Sequence, residues 1–123
     1  MTENFKNISK TLSGWGRNSK AIVKILNPKD KEELQDIISN SKENSLISRG
    51  LGRSYGDAAQ LNNGSVINLG YFQNIYLNKA KGIVIIGGGV SFNDLLKKII
   101  PEGFFLPVSP GTRNVTVGGA IAS

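Results

Sequence analysis

The chain has 123 residues, a length that suits a single domain with its own core. It carries 15 basic and 9 acidic side chains, which give a net charge of +6, and it contains no cysteine and no histidine. Disulfides, structural zinc sites, cysteine nucleophiles and histidine general bases are therefore excluded within this chain.

The N-terminal residues contain no apolar core of the kind that a secretory signal peptide requires. The longest aliphatic run, 83–86, is far shorter than the ~20 residues of a membrane-spanning helix. We therefore expect a cytoplasmic protein without a transmembrane segment, and peripheral contact with a membrane stays open as an alternative.

The positive charge suits nucleic acid, an anionic membrane surface or a phosphorylated ligand. Most of the lysines are expected to form a solvated surface. Arg49, Arg53 and Arg113 differ because they lie within glycine-rich runs. Their placement favours a discrete anion site over a diffuse basic patch.

The first half of the chain has the pattern of a small parallel strand–helix–strand unit. Residues 1–12 are polar, and we predict that they form a loose lead-in to a domain over 13–123 that is incomplete at its C-terminal end. Asp30 followed by Glu33 is a capping-box pattern that precedes apolar residues at helical spacing. The predicted elements in chain order are a strand over 21–26, a helix over 30–42, a strand over 45–48, a turn at 62–64 and a strand over 65–69.

The second half combines a hairpin with helices. Ser91 with Asp94 is a second capping pattern, and Pro101 ends the helix that it starts. Small residues from Val117 onward predict another helix start. The predicted elements are an antiparallel hairpin over 75–78 and 83–86, a glycine junction at 87–89 and a helix over 91–100. Parallel and antiparallel strands together predict the α+β class.

The first glycine-rich run, SRGLGRSYGDAAQ at 48–60, follows a predicted strand and is a candidate phosphate site. A dinucleotide fingerprint requires G-x-G-x-x-G before a helix and an acidic residue about 20 positions later. Here the third glycine comes one position late, the turn at 62–64 precludes a helix, and no Asp or Glu lies between Ala58 and Asn93. The Gly-Lys-Ser/Thr of a nucleoside-triphosphate loop is also missing from the chain.

The residues of this run instead predict a non-helical anion site. Glycines tolerate positive φ, so that successive backbone N–H groups can point into one concavity. Arg49 and Arg53 add charge, and Ser54 and Tyr55 add hydroxyl groups. A tight turn with solvent-facing arginines is the alternative.

The second glycine-rich run, PGTRNVTVGGAIAS at 110–123, predicts a second anion cradle. Gly118 and Gly119 permit a close backbone approach, and the helix start at Val117 would offer free N–H groups and its dipole to an anion. Two such cradles can hold one elongated diphosphate between them.

These two runs, together with SGWGR at 13–17, resemble a known family. The pattern is similar to the N-terminal part of FAD-linked oxidases with a vanillyl-alcohol-oxidase-type (PCMH-type) flavin domain, on the branch of the decaprenylphosphoryl-β-D-ribose 2-oxidases and aldonolactone oxidases. The resemblance extends from Leu12 to the end of the chain. It implies a small parallel α/β subdomain followed by the start of a mixed, mainly antiparallel subdomain.

The resemblance implies FAD as the cofactor, with the pyrophosphate loop on 48–58 and a second flavin contact on the later glycine run. Related lactone oxidases often tether the flavin ring through a histidine in the first loop, where this chain has Arg53, so the FAD is expected to be bound non-covalently. The cofactor-binding residues that the resemblance implies are Ser48, Arg49, Gly50, Leu51, Gly52, Arg53, Ser54, Tyr55, Gly56, Asp57, Ala58, Gly111, Thr116, Val117, Gly118 and Gly119.

The resemblance also implies an oxidoreductase that acts on the CH–OH group of a sugar-type substrate, either a polyprenyl-phosphoryl ribose or an aldonolactone-like sugar. The expected partner is thus a small-molecule or lipid-linked sugar and not nucleic acid, and the oligomeric state is open. The family continues beyond the segment matched here, so no catalytic residue is assigned, and the 123-residue chain is expected to be an inactive N-terminal fragment. The alternatives are a basic nucleic-acid-binding module, although aromatic and basic residues are not interleaved, and a same-fold flavin reductase of cell-wall precursor synthesis.

Overall fold

The structure is a computed structural model that describes residues 8–43 and 45–122. Within those residues the chain folds into two sheets and three α-helices. The elements in chain order are β1 (Ile8–Ser13), β2 (Lys20–Leu26), α1 (Lys31–Asn40), β3 (Leu46–Arg49), β4 (Ser65–Asn68), β5 (Ile75–Asn78), β6 (Ile83–Ile86), α2 (Phe92–Ile99), a 3₁₀ turn (Ile100–Glu102) and α3 (Val117–Ala122). Parallel and antiparallel pairing occur together, which confirms the predicted α+β class.

Four strands form one sheet in the order β1-β2-β4-β3. β2 and β3 both run parallel to β4, which lies between them, whereas β1 is antiparallel to β2. The predicted parallel strand–helix–strand unit is therefore confirmed, with β4 inserted between its two strands. Ligands bind outside the carboxyl ends of parallel strands, so the loop that follows β3 begins where a ligand site is expected.

The predicted loose lead-in is wrong over 8–12, because these residues lie in β1. The strand pairs with β2 from Ile8 opposite Ile25 to Ser13 opposite Lys20. β1 is an edge strand, and its side chains are exposed except at its C-terminal end, so polar residues are tolerated there while the backbone ladder holds the strand. Residues 1–7 of the predicted lead-in lie outside the described residues.

The first helix starts as the sequence predicts. Asp30 Oδ1 accepts a hydrogen bond from the N–H of Glu33 at 2.8 Å, and Glu33 Oε2 accepts one from the N–H of Lys29 at 2.6 Å. The second bond is one residue earlier than in the standard capping box, but it satisfies the same end of the helix. α1 ends at Asn40, two residues before the predicted end.

The buried side chains form two clusters, one for each sheet. The first lies in the four-stranded sheet and consists of Ala21, Val23 and Val66. The second joins α2 to the β5–β6 hairpin and to the start of α3, and consists of Val90, Phe92, Leu95, Ile99 and Val117. This second core fixes the last glycine-rich run against α2.

The end of α2 differs slightly from the prediction. The helix ends at Ile99, and Pro101 lies inside the 3₁₀ turn that follows, so the proline changes the type of helix rather than ending it outright. In the described part of the chain, the longest apolar helical stretch is too short to cross a membrane.

Candidate functional site

Three segments that are far apart in the sequence meet beside the carboxyl end of β3. They are the entry turn (residues 13–17), the glycine loop (residues 50–59) and the second glycine segment (residues 111–119). The N–H of Trp15 donates a hydrogen bond to Ser54 O at 3.2 Å. Arg53 Nε donates to Asn114 O at 3.2 Å, and its guanidinium carbon lies 4.4 Å from the centroid of the Trp15 ring. Arg53 therefore connects all three segments.

A cavity of about 680 Å³ opens between the glycine loop and the second glycine segment. This volume lies within the range of about 300–1,000 Å³ that is typical of small-molecule and cofactor sites. The residues that line it are Gly50, Leu51, Gly52, Arg53, Ser54, Tyr55, Ala58, Ala59, Phe92, Val108, Ser109, Pro110, Val115, Thr116, Gly119, Ala120 and Ile121.

The glycine loop is held in place by its carbonyl groups and leaves its N–H groups unpaired. The carbonyls of Ser54, Asp57 and Ala59 accept hydrogen bonds from Trp15, Gln60 and Arg49. From residue 51 to residue 59, no backbone N–H donates to an acceptor in the described part of the chain. Two glycines of the loop, at 52 and 56, have positive φ angles of 68° and 60°. Such a backbone is typical of anion-binding concavities.

Arg49 holds the end of the glycine loop against the entry turn through two hydrogen bonds. Its Nη1 donates to Ala59 O at 2.8 Å and its Nη2 donates to Ser13 O at 2.7 Å. Partial burial lowers the pKa of the Arg49 guanidinium, which nevertheless stays protonated at any working pH. A Cβ on Gly52 would collide with this guanidinium. Arg49 does not line the cavity. Its role is to stabilise the conformation of the glycine loop through these hydrogen bonds.

The second glycine segment is fixed by the start of α2. The N–H of Phe92 donates to Val115 O at 2.9 Å, and the N–H of Asn93 donates to Arg113 O at 3.0 Å. Thr116, which is 7% exposed, lies directly against Gly50, where a Cβ would collide with its hydroxyl oxygen. This close approach brings the two glycine segments together at the base of the cavity.

The start of α3 does not offer free donors, so the predicted mechanism of anion binding there is wrong. Its first N–H groups all donate within the chain: Val117 to Val90 O at 2.8 Å, Gly118 to Gly88 O at 3.0 Å and Gly119 to Thr116 Oγ1 at 3.1 Å. A Cβ on Gly118 would lie 2.9 Å from Gly88 O. Gly118 is therefore needed for the packing of α3 against the glycine junction at 87–89.

The cavity contains only some of the predicted site residues. Those that line it are Gly50, Leu51, Gly52, Arg53, Ser54, Tyr55, Ala58, Thr116 and Gly119. Those that lie outside its lining are Ser48, Arg49, Gly56, Asp57, Gly111, Val117 and Gly118. The structure adds residues that the sequence analysis missed: Ala59, Phe92, Val108, Ser109, Pro110, Val115, Ala120 and Ile121. The small and proline residues at 107–110 were the available signal for part of this set.

The cavity has two chemically different walls. The glycine loop supplies unpaired N–H groups, which suit the oxygens of an anion such as a diphosphate. Apolar side chains supply the remainder, and Tyr55, Val108 and Ile121 are 83%, 84% and 82% exposed around the opening. Exposed apolar groups that rim a pocket are typical of a binding site for a ligand with flat or apolar parts. The arrangement thus suits a ligand that combines an anionic group with ring systems.

A family model, a relative of known name and a solved structure each match this chain. The family model of the FAD binding domain matches residues 23–123. Decaprenylphosphoryl-β-D-ribose oxidase from Mycolicibacterium smegmatis is 40% identical over 124 aligned positions, which cover 98% of this chain and 27% of that protein. A histidine-to-alanine mutant of cholesterol oxidase from Brevibacterium sterolicum has the same fold, with a TM-score of 0.78 and 13% identity over 94% of this chain and 24% of that one. The chain thus spans about a quarter of the length of these relatives.

Proposed function

Because the chain belongs to the family of FAD binding domains found in flavin-linked oxidases, we propose that its cavity holds FAD and that the whole protein oxidises the CH–OH group of a sugar-type substrate. The proposed domain includes β1, since that strand is part of the four-stranded sheet. We propose as cofactor contacts the predicted residues that line the cavity.

The observation that carries the proposal is the set of unpaired N–H groups from residue 51 to residue 59. Most of these residues are exposed, so water can also satisfy their N–H groups, but the positive φ angles of Gly52 and Gly56 give the loop a backbone typical of anion-binding concavities, and this loop lines the cavity. Hydrogen bonds to a charged acceptor contribute about 1.5–3 kcal/mol each, so three of them would anchor a diphosphate firmly. The apolar wall would contact the flat rings.

Within this site the chain binds and orients the cofactor. The glycine loop would hold the diphosphate, Arg53 would fix the loop to the second glycine segment, and Thr116 would set the spacing between the two segments. A bound flavin would supply the capacity to accept a hydride from an alcohol carbon.

The test compares ligands that differ only in their phosphate groups. We expect the full-length protein, stripped of flavin, to bind FAD at least about 100-fold more tightly than riboflavin, because riboflavin lacks the diphosphate that the amides of the glycine loop would hold. FMN, with a single phosphate, should be intermediate. Isothermal titration with the three ligands measures this order, and equal affinities for FAD and riboflavin would contradict the placement of the diphosphate.

We propose that the FAD is bound without a covalent bond to this chain. No histidine or cysteine occurs in the sequence, and the position at which related lactone oxidases carry a histidine is Arg53, whose side chain is already engaged with Trp15 and Asn114. Acid precipitation of the full-length holoprotein should release free flavin into the supernatant. Flavin that remained in the pellet and mapped to a peptide within 48–60 would show covalent attachment, with Tyr55 as its candidate.

The sugar-type substrate is the finer part of the proposal. It is supported by the 40% identity to an enzyme whose name states a polyprenyl-phosphoryl ribose substrate. The same-fold reductase remains the alternative, and it differs in its electron source. Anaerobic spectra decide between them: bleaching of the flavin by a polyprenyl-phosphoryl ribose or an aldonolactone supports the oxidase, whereas bleaching by a nicotinamide alone supports the reductase.

A further inference from the structure

The connection between β1 and β2 contacts the glycine loop along its length. It comprises residues 13–19, which we call the positioning segment. The match to the FAD binding domain begins only at residue 23. The contacts of the positioning segment with the site are therefore additional to the part of the chain that the family model matches.

The middle of the glycine loop lies against the positioning segment through two carbonyl groups. The N–H of Trp15 donates a hydrogen bond to Ser54 O at 3.2 Å. Gly14 is buried, and a Cβ at this position would collide with the carbonyl oxygen of Gly56. Position 14 therefore requires glycine, because the backbone of the loop comes closer than a side chain permits.

Both ends of the glycine loop are also joined to the positioning segment. Arg49, which precedes the loop, donates through Nη2 to Ser13 O at 2.7 Å. Gln60, which follows the loop, donates through Nε2 to Ser19 Oγ at 2.8 Å. The loop is thus attached to one segment at its start, in its middle and after its end, which limits the positions that it can take.

These contacts determine the direction in which N–H groups of the loop point. The described part of the chain contains no cis peptide bond, and in a trans peptide the C=O of one residue and the N–H of the next point in opposite directions. Because the carbonyls of Ser54 and Gly56 face the positioning segment, the N–H groups of Tyr55 and Asp57 face away from it. Neither N–H has an acceptor in the described residues, and Tyr55 lines the cavity.

We propose that the positioning segment determines how strongly the site prefers FAD to flavins without a diphosphate, which rests on the proposed function of the glycine loop. Gly14 and Ser19 are positioning residues, since they do not line the cavity and act through the loop. Riboflavin has no phosphate oxygens for the N–H groups of the loop. Its affinity should therefore not depend on the positioning segment.

The experiment measures by isothermal titration how tightly the full-length protein, stripped of flavin, binds FAD and riboflavin. Gly14→Ala would displace the loop at Gly56, and we expect the affinity for FAD to fall by at least about tenfold, because misaligned hydrogen bonds weaken steeply. The affinity for riboflavin should stay within about twofold of the wild type. The control is Gly70→Ala, whose Cβ would make an ordinary contact with Asn68 Oδ1 at 3.4 Å and which should bind both ligands as the wild type does.

A second pair of variants tests the same role without a steric change. Ser19→Ala removes the hydroxyl that accepts from Gln60, and we expect FAD to bind about threefold more weakly, with no change for riboflavin. Ser19→Thr keeps the hydroxyl and should retain the wild-type affinity. Circular dichroism checks that every variant is folded. If Gly14→Ala is not, the serine pair decides, and equal FAD affinities of Ser19→Ala and Ser19→Thr would then overturn the proposal.

The wild type and Gly14→Ala together separate a failure of this proposal from a failure of the proposed function. A wild type that binds FAD and riboflavin equally would overturn both. A wild type that prefers FAD, with the same preference in folded Gly14→Ala, would overturn the role of the positioning segment alone. Equal losses of FAD and riboflavin affinity in Gly14→Ala would also overturn it, because the segment would then support the fold and not the direction of the N–H groups.

Discussion

The glycine loop and the second glycine segment look alike in sequence but use their backbones in opposite ways. In the glycine loop, carbonyl groups accept hydrogen bonds from neighbouring parts of the chain, whereas the N–H groups of residues 51–59 have no acceptor in the described part of the chain. In the second segment, the N–H groups from Val117 to Gly119 donate hydrogen bonds within the chain. Their acceptors belong to Val90, Gly88 and Thr116. One segment therefore leaves donors unpaired beside the cavity, and the other supplies a packed part of the cavity wall.

The difference shows that a glycine-rich run is not by itself a phosphate site. At position 118 a side chain would collide with the carbonyl of Gly88, and at position 50 it would collide with the side chain of Thr116. In the glycine loop the useful property is the free donors, which depend on how Arg49 and Trp15 engage the carbonyls. Variants of Gly118, Arg49 and Arg53 separate these two roles.

The largest effect is expected for Gly118→Val. The new side chain would meet Gly88 O at 2.9 Å from its Cβ, and α3 would separate from the glycine junction. We expect a loss of about 3 kcal/mol or more in the free energy of unfolding, with loss of flavin as a consequence of misfolding. Urea denaturation followed by circular dichroism measures it.

The control for this variant is Gly111→Ala, because nothing lies within 4 Å of a Cβ at that position. It should unfold as the wild type does. If Gly118→Val retained wild-type stability but lost flavin, Gly118 would contact the cofactor directly and the assigned packing role would be wrong.

The next largest effect is expected for Arg49→Ala. It leaves the carbonyls of Ala59 and Ser13 without their donor, and we expect a cost of about 2–3 kcal/mol in stability. Lysine should recover only part of this loss, since one ammonium group cannot reproduce the planar pair of donors. Arg113→Ala is the control from the second segment and should stay within about 0.5 kcal/mol of the wild type. A neutral Arg49→Ala in thermal denaturation would contradict the bracing role.

A smaller and more specific effect is expected for Arg53. If it acts by joining Asn114 and Trp15, then Arg53→Ala and Arg53→Lys should both weaken FAD binding by about tenfold, because lysine keeps the charge but loses the Nε donor and the flat stacking surface. The dependence of affinity on salt should stay as in the wild type.

Titration of FAD at two NaCl concentrations measures both quantities. Trp15→Ala should lower the affinity less when Arg53 is already alanine, which is the coupling expected of two groups in contact. Wild-type affinity in Arg53→Lys would mean that Arg53 contributes through its charge alone.

Much of the fold was predictable because local chemistry determines it. Asp30 and Ser91 cap their helices through their own side chains, and the β5–β6 hairpin follows from two apolar runs around a short turn. β1 was missed because the ladder with β2 stabilises it and its polar side chains give no apolar pattern. Long-range pairing of this kind leaves little trace in a strand's own residues.

The cavity was predictable only in part. The composition of the glycine loop predicts its role, but the first N–H groups of α3 donate to the carbonyls of Val90 and Gly88, which lie 27 and 30 residues before their donors in the sequence. Lining residues such as Phe92 and Val108 look like ordinary core or loop residues until the fold places them at the cavity. Tertiary contacts decide which N–H groups remain free, so local sequence patterns do not predict them.

The smallest effect is expected for Lys97→Ala, which tests whether the overall positive charge attracts the cofactor. Lys97 is exposed near the end of α2, away from the cavity lining, and its removal lowers the net charge of +6 by one. Surface changes of this kind are usually within about 0.5 kcal/mol, so the affinity for FAD should change by about twofold at most. The free N–H groups of the glycine loop act only at hydrogen-bond distance, whereas a diffuse field would weaken with every lysine removed. A loss in Lys97→Ala as large as that in Arg53→Ala, measured by the same titration, would mean that diffuse charge rather than the glycine loop holds the diphosphate.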